Sequence, residues 1–424
     1  MELSLQMTLL IIMTVVAGIA AQVAGSLTKL PSIVFLLLFG IGLGPSGLNL
    51  LHPHLLGEGL NVLVSLSVAL ILFEGGLSLE LQSMEEVSGS IRNLVTVGML
   101  MTLVGAGVAA HWLSEFPWAI AFLYASLVVV TGPTVINPLL KQVRADRQVS
   151  AILEGEGVLI DPIGAILAVV VLQIVLQGNA SPIEVLQELG SGLGTGAAIG
   201  GMGGWGLGQL LKRAAWITDE LKNLVVLAGM WGLFGVAQAL VNESGLTAAV
   251  TAGIALHLAD LPKQRSLREF KAQLSTLAVS MLFILLSADL AIASLFALGW
   301  GSLLTVLVLM LVVRPLNILI CTWNSGLSWR QKVFLSWVAP RGIVAASIAS
   351  LFAVSLTNQG INGGDSIKGL VFLTIMITVG VQGLTAKPVA EWLNLQAPEP
   401  CSLPSTAECH AGQTRQPDHL ATPE

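Results

Sequence analysis

A few ionisable side chains lie inside long apolar stretches of the sequence, and they are the first candidates for chemistry. They are Glu74, Glu154, Glu156, Asp161, Arg314, Arg341 and, near the end of one stretch, Asp289. A charge at bilayer depth costs several kcal/mol, so such a residue indicates a proton or ion site by default. Most of the acids fall in one stretch, VSAILEGEGVLIDPIGAILAVVVLQ, at residues 149–173.

The rise of a helix predicts how deep these residues lie. Asp161 is about 12 residues into its stretch, hence roughly 18 Å deep and near the midplane. Glu156 and Arg314 are each about seven residues from the same membrane face, so they share a depth and are predicted to form an ion pair. That pair is either a structural link between helices or a participant in turnover. Glu154 lies two turns before Asp161 on the same helix face, either lining an entry funnel or facing an aqueous vestibule.

Asp161 differs from the other acids because no basic residue matches its depth. Burial of an unpaired carboxyl favours the neutral, protonated form. This property suits a group that alternately holds a proton and a cation. The alternative is a structural carboxylate that is satisfied by neighbouring donors.

Two apolar stretches carry helix-breaking residues near mid-depth. One reads AFLYASLVVVTGPTVINPLL and contains Thr131, Gly132 and Pro133; the other reads FLSWVAPRGIVAASIASLF and surrounds Arg341 with proline and glycine. Proline interrupts the hydrogen-bond ladder of a helix, and the carbonyls that are freed in this way can coordinate a bare cation. Proline kinks that only aid packing are the competing interpretation.

Composition restricts the class of protein. Of 424 residues, 54% are hydrophobic and 10% are charged, whereas a soluble domain carries about 25% charged residues. The chain is therefore predicted to be an all-α polytopic membrane protein. The three cysteines are too few for a disulfide framework, and no basic patch supports nucleic-acid binding.

Thirteen apolar segments are long enough to be membrane spans. They run near 5–25, 31–50, 59–79, 92–113, 117–139, 149–176, 184–211, 222–241, 244–259, 273–294, 297–321, 331–356 and 368–387. The basic residues outside spans fall in alternate loops, with Lys368 as the exception. This alternation predicts an external N-terminus and a cytoplasmic C-terminus. The transmembrane domain is predicted to cover 1–395, and the polar, Pro-rich segment 396–424 is predicted to be a disordered cytoplasmic tail.

The two interrupted spans occupy corresponding places, each being fifth in a group of six spans. With an odd total, the second group is inverted relative to the first. This pattern predicts inverted repeats near 5–176 and 222–387, joined by a linker span at 184–211, with two discontinuous helices that cross at an ion site.

Six motifs in order resemble the monovalent cation:proton antiporters, in particular the NhaP-type sodium/proton exchangers. They are FEGGLSLE, VVTGPTVINPLL, LEGEGVLIDPIGA, VVRPLNI, APRGIVAAS and TVGVQGLTAKP, and the resemblance covers roughly residues 5–395. It implies a dimerisation domain and a mobile core domain, a homodimer, exchange of Na+ (with K+ or Li+ as alternatives) for H+, and a role in pH homeostasis. It also implies a bacterial inner membrane, with neither a cofactor nor a fixed metal.

The resemblance also implies roles for individual residues. Asp161 matches the carboxylate that binds cation and proton in turn, and Glu74 and Thr131 match residues near the ion path. Glu156 matches the acid that pairs with an arginine, here Arg314. Arg341 matches the arginine that balances charge at the second broken helix, while Gly132 and Pro133 form the backbone of the first.

The sequence departs from the family pattern at three positions. Ile160 replaces the usual Asn before the carboxylate, Gly157 replaces a Ser, and Gly132 replaces the Asp of a Thr-Asp-Pro motif. These changes remove polar side chains, so the family's cation preference does not transfer to this chain. Because Ile160 excludes a pair of adjacent carboxylates, one-for-one, electroneutral exchange is predicted.

Two other functional classes use the same residues. A cation channel or uniporter would use the intramembrane charges, although no repeated ring of carbonyls or acids is present and broken helices predict alternating access. An intramembrane aspartyl protease would need a second aspartate facing Asp161, and Asp289 is predicted to lie near the outer surface. The leading prediction is therefore a secondary active antiporter and not an enzyme.

Overall fold

The computed structural model describes most of the chain. The described residues are 2–28, 32–78, 81–132, 135–136, 139–140, 143, 145–177, 182–213, 218–241, 244–259, 264–290 and 298–395. The predicted tail, 396–424, and Pro133 lie outside these residues.

The regular elements of the described residues are helices, and we number fourteen of them. They are α1 (Glu2–Thr28), α2 (Ser32–Leu43), α3 (Glu58–Ser78), α4 (81–113), α5 (Trp118–Val128), α6 (Arg147–Gln177), α7 (Pro182–Arg213), α8 (Asp219–Leu240), α9 (Ser244–Leu258), α10 (Gln264–Ala288), α11 (299–321), α12 (Trp329–Trp337), α13 (Ile343–Asn358) and α14 (364–392). Single π-turns interrupt α4 at Leu94–Gly98, α11 at Leu309–Val313 and α14 at Thr378–Gln382.

The predicted all-α membrane class is confirmed. Seven of the described helices are long and apolar enough to cross a membrane by length and composition, and shorter apolar helices occupy other predicted spans. The predicted span 331–356 is divided into α12 and α13, and α5 stops at Val128 within the predicted span 117–139. Both interruptions therefore occur where glycine and proline were expected to break a helix.

Some helix boundaries differ from the predicted spans. Helix α10 begins at Gln264 and α4 at residue 81, both ahead of the predicted spans, because these helices extend through polar residues that hydropathy alone excludes. Helix α10 also ends at Ala288, before the predicted end of its span at 294. Helix α2 ends at Leu43, where Pro45 and neighbouring glycines turn the chain. The hydroxyl of Ser46 then donates a hydrogen bond to the carbonyl of Leu290, 3.0 Å away.

Contacts among the helices group them into two bundles. One, the scaffold bundle, contains α1, α2, α3, α7, α8, α9 and α10; the other, the core bundle, contains α4, α5, α6 and α11 to α14. Most close packing lies within a bundle, and α6, α13 and the π-turn of α14 make the most extensive contacts between the two bundles. The division of the sequence into inverted repeats remains a prediction.

Glycine allows helices of the scaffold bundle to approach one another closely. Gly196, Gly200 and Gly204 recur every fourth residue on α7, and a Cβ at each would lie within 2.7 Å of an atom of α9. This spacing is the small-residue packing pattern of helices in lipid. Glycine in this chain therefore serves helix contact as well as helix breaking.

Candidate ion site at the helix crossing

The two helix breaks cross each other in the core bundle with direct backbone contact. The amide of Gly132 donates a hydrogen bond to the carbonyl of Pro340, 3.1 Å away. A Cβ added to Gly132 would lie 2.2 Å from the Cα of Gly342, and one added to Gly342 would lie 2.4 Å from the Cα of Gly132. Neither position has room for a side chain. Gly132, which departs from the family pattern, therefore allows the two helix breaks to cross this closely.

Arg341 lies in the second break and supports the end of the first half-helix. Its side chain is buried, and Nη1 donates hydrogen bonds to the carbonyls of Val129 (3.1 Å) and Val130 (3.4 Å). The carbonyls at the end of a helix have no partner within the helix and carry partial negative charge. The guanidinium of Arg341 therefore both satisfies and neutralises the C-terminus of α5.

The π-turn of α14 supplies partners for the second break. The side-chain carbonyl of Gln382 accepts a hydrogen bond from the amide of Ala339 (3.1 Å), and the hydroxyl of Thr378 accepts one from the amide of Arg341 (3.2 Å). Gln382 and Thr378 are each 1% exposed. These side chains hold the extended segment between α12 and α13 where a continuous helix would have satisfied its own amides.

Asp161 is fully buried on α6, facing the first break. Neither of its carboxyl oxygens has a hydrogen-bond partner among the described residues, and the same holds for the hydroxyl of Thr131. Gly164, one turn beyond Asp161, packs against Val130, since a Cβ at Gly164 would lie 2.3 Å from its Cγ2. The segment that carries Thr131 therefore lies against the face of α6 that carries Asp161.

The backbone of α6 adds a further acceptor beside Asp161. The helix continues through Pro162, and because proline has no N–H, the carbonyl of Val158 lacks its usual donor within the helix. Val158 and Asp161 are three residues apart and so share a face. A carboxylate, a hydroxyl and a carbonyl without its helical donor are all oxygen ligands, which suit a hard cation.

Glu156 and Arg314 form a buried, bidentate ion pair. Arg314 Nη1 and Nη2 donate to Glu156 Oε1 and Oε2 at 2.5 and 2.8 Å, and the two side chains are 3% and 5% exposed. Arg314 Nε also approaches the carbonyl of Leu335 at 3.4 Å. This pair joins α6 to α11 and brings α12 into the same contact.

The remaining predicted residues lie around this centre. Glu74 is partly exposed on α3, and the adjacent Gly75 packs against Val158, with a virtual Cβ 3.0 Å from its Cγ2. Glu154 is partly exposed, whereas Gly157 and Ile160 are buried. Ile160 packs in an apolar cluster, so the side chain next to Asp161 contributes no polar atom.

Sequence reasoning missed several polar partners. Gln382 and Thr378 lie in the motif TVGVQGLTAKP, to which no site residue was assigned. The signal that marks them is a polar side chain inside an apolar span. Asn317 is another: its amide donates to the carbonyl of Gly98 and to the hydroxyl of Thr102, 3.0 and 3.1 Å away. It links α11 to the π-turn of α4.

A further ion pair, also missed, joins the two bundles. Lys368 on α14 contacts Asp289 at the end of α10 with an Nζ to Oδ2 distance of 2.5 Å, and the side chains are 21% and 29% exposed. The sequence placed both residues at the outer ends of their spans. It did not indicate that they meet.

Comparison with known proteins agrees with this architecture. The family described as "Sodium/hydrogen exchanger, transmembrane" matches residues 10–392. The Na(+)/H(+) antiporter ApNhaP of Aphanothece halophytica is 24% identical over 403 residues, covering 91% of this chain and 74% of the relative. The K(+)/H(+) antiporter NhaP2 of Shewanella sp. (strain ANA-3) is 26% identical over 347 residues, covering 80% of this chain and 58% of the relative.

A solved structure shares the fold. The sodium proton antiporter MjNhaP1 of Methanocaldococcus jannaschii, at pH 8, superposes with a TM-score of 0.80 at 22% identity, covering 93% of this chain and 99% of that one. The family match extends over most of the sequence and includes both helix breaks and the buried charges of α6 and α11. The chain therefore belongs to the sodium/hydrogen exchanger family of integral membrane proteins.

Proposed function

We propose that this protein exchanges a monovalent cation for H+ by alternating access, with Asp161 as the group that binds both ions. The observation that carries the proposal is a fully buried carboxyl with no partner among the described residues, set beside two crossing helix breaks. Relatives named as Na(+)/H(+) and K(+)/H(+) antiporters support this class of activity.

The coupling follows from one carboxylate that two ions compete for. When Asp161 faces one side of the membrane it releases its proton and takes up the cation, with Thr131 and the carbonyl of Val158 as further oxygen ligands. Carrying either ion neutralises the carboxylate and removes the cost of moving a bare charge through the protein interior. The core bundle then moves against the scaffold bundle and exposes Asp161 to the other side.

The neighbouring charges support electroneutral exchange. Glu156 and Arg314 neutralise each other, and Arg341 is directed at the carbonyls of α5. Asp161 is then the one acid at the crossing that the described residues leave without a cation, and Ile160 adds no second carboxylate. One proton exchanges for one monovalent cation, so no net charge moves.

Na+ is the leading candidate for the cation, with K+ and Li+ as alternatives. Relatives named as Na(+)/H(+) and as K(+)/H(+) antiporters both match the chain. We place the N-terminus outside and the C-terminus in the cytoplasm of a bacterial inner membrane, with the protein acting as a homodimer in pH homeostasis. The basic residues that follow alternate spans support this orientation.

Everted membrane vesicles from an antiporter-deficient host test the proposal. A respiratory pH gradient is established, and Na+, K+ and Li+ are added separately; at least one should dissipate the gradient in the wild type and none should do so in Asp161→Asn. A carboxyl-to-amide change at the exposed Glu220 is the matched control and should retain exchange. Full activity of Asp161→Asn would reject the role of Asp161.

The alternative function is a cation channel or uniporter that uses the same charges. Proteoliposomes separate the two, because electroneutral exchange does not respond to an imposed membrane potential, whereas channel flux follows it. A flux that scales with potential in the absence of a proton gradient favours the channel.

A further inference from the structure

An apolar groove lies on the outside of the core bundle, between α11, α12 and α14. It has a volume of about 340 Å³, and its walls include Leu311, Pro315 and Leu319 on α11 and Trp329 and Trp337 on α12. The side chains of Leu311 and Trp329 are 53% and 66% exposed. An open apolar groove on a membrane protein faces lipid along its length.

Tryptophans mark the depth of the groove mouth. Trp329 is the first residue of α12 and Trp392 the last of α14, and both line the groove. Tryptophan side chains concentrate at the level of lipid headgroups. From Leu319 to Met310 the groove wall then runs roughly 14 Å along α11 toward the membrane interior, a length suited to an acyl chain.

Lys332 is the one charged side chain among the described residues that line the groove. It is half-buried, and its ammonium makes no ion pair with the described residues. Ser336 lies one turn further along α12, where its hydroxyl donates to the carbonyl of Lys332 and leaves its own oxygen free to accept. A lone cation at the mouth of an apolar groove complements a phosphate attached to a hydrocarbon chain.

We propose that this groove binds an anionic phospholipid, with the phosphate on Lys332 and one acyl chain along α11. An anionic headgroup is favoured over a zwitterionic one because, among the described residues, no carboxylate lines the groove to offset Lys332. The site also has a consequence for the core bundle. Pro315, in the wall, follows Arg314, so an acyl chain packed there supports the helix that carries the buried ion pair to Glu156.

The test compares lipids on the purified full-length protein in detergent. The midpoint of thermal unfolding is titrated with phosphatidylglycerol, with phosphatidylcholine of the same chains, and with soluble glycerol phosphate. Phosphatidylglycerol should raise the midpoint at lower concentration than phosphatidylcholine, and glycerol phosphate should have no effect. Equal potency of the two lipids, or stabilisation by the soluble headgroup alone, would overturn the proposal.

Paired variants locate the site. Lys332→Gln should weaken the apparent affinity for phosphatidylglycerol about fivefold, the effect of about 1 kcal/mol for one basic residue at an anionic surface. Lys387→Gln, at the same end of the core bundle but paired with Glu391 at 3.9 Å, should leave the affinity unchanged. Equal losses in both variants would mean diffuse surface charge and would reject the site.

A second pair tests the apolar part independently of charge. Leu319→Trp fills the groove and should weaken lipid binding, whereas Leu316→Trp, on the same helix but outside the groove and 49% exposed, should not. If Lys332→Gln fails to fold, this leucine pair decides the question. Unchanged affinity in Leu319→Trp would reject the acyl-chain placement.

Discussion

Asp161 and Glu156 lie little more than one turn apart on α6 and are buried to a similar degree, at 0% and 4% exposure, yet their surroundings are opposite. Glu156 accepts two hydrogen bonds from Arg314, whereas Asp161 has no partner among the described residues. Burial alone therefore does not separate the two acids. In the proposed mechanism the fixed cation does, because Arg314 already neutralises Glu156, whereas Asp161 is left to bind a proton or a cation in turn.

The largest expected effect is the loss of transport in Asp161→Asn. An amide is nearly the same size but cannot bind a proton and a cation in turn, so exchange with any cation should fall to background. Yield and thermal stability should stay near wild type, since the change removes a buried ionisable group that has no partner. Gradient dissipation in vesicles and unfolding in detergent measure the two properties separately. An Asp161→Asn variant with lowered thermal stability but retained transport would contradict this prediction, because Asp161 would then be the structural acid.

Glu156 should show the reverse pattern. Arg314→Met leaves Glu156 as an uncompensated buried charge, and breaking such a pair costs about 3–5 kcal/mol. The double variant Glu156→Leu/Arg314→Met removes both charges and should recover most of the lost stability. Thermal unfolding of both variants in detergent measures this recovery.

The same pair of variants separates a structural role from a direct one. Transport activity normalised to folded protein should persist in the double variant if the pair only holds α6 against α11. Normal stability with abolished transport would instead give Glu156 or Arg314 a direct part in exchange.

The helix crossing tests how the surroundings of Asp161 are held in place. Gly132→Ala puts a Cβ 2.2 Å from the backbone of Gly342, and overpacking of this kind costs about 1–3 kcal/mol or more. Transport should fall at least tenfold because the crossing must separate. The matched control is Gly201→Ala on α7, where a Cβ meets no atom within 4 Å; its stability should be unchanged or higher by up to about 1 kcal/mol.

Much of this site follows from the sequence because helix rise converts residue number into depth. That reasoning placed Glu156 and Arg314 at one level, and glycine and proline located both helix breaks. It could not predict lateral neighbours. The direct contact of Gly132 with Gly342 depends on which helices cross, and the support from Gln382 depends on how α14 packs against the second break.

Lys368 and Asp289 extend the comparison to an ion pair of a third kind, which is partly exposed and joins the core bundle to the scaffold bundle. Partly exposed pairs contribute about 0–1 kcal/mol, so Lys368→Gln should leave folding nearly unchanged. Because the pair links the two bundles that the proposed mechanism moves relative to each other, its loss should change the transport rate by a few-fold at most. The charge-swapped variant Asp289→Lys/Lys368→Asp should restore the wild-type rate.

If the single variant and the swap both match wild type, the contact has no part in bundle motion. If Lys368→Gln instead unfolds the protein, the burial of an ion pair is not what sets its contribution to stability, and the contrast with Glu156 fails.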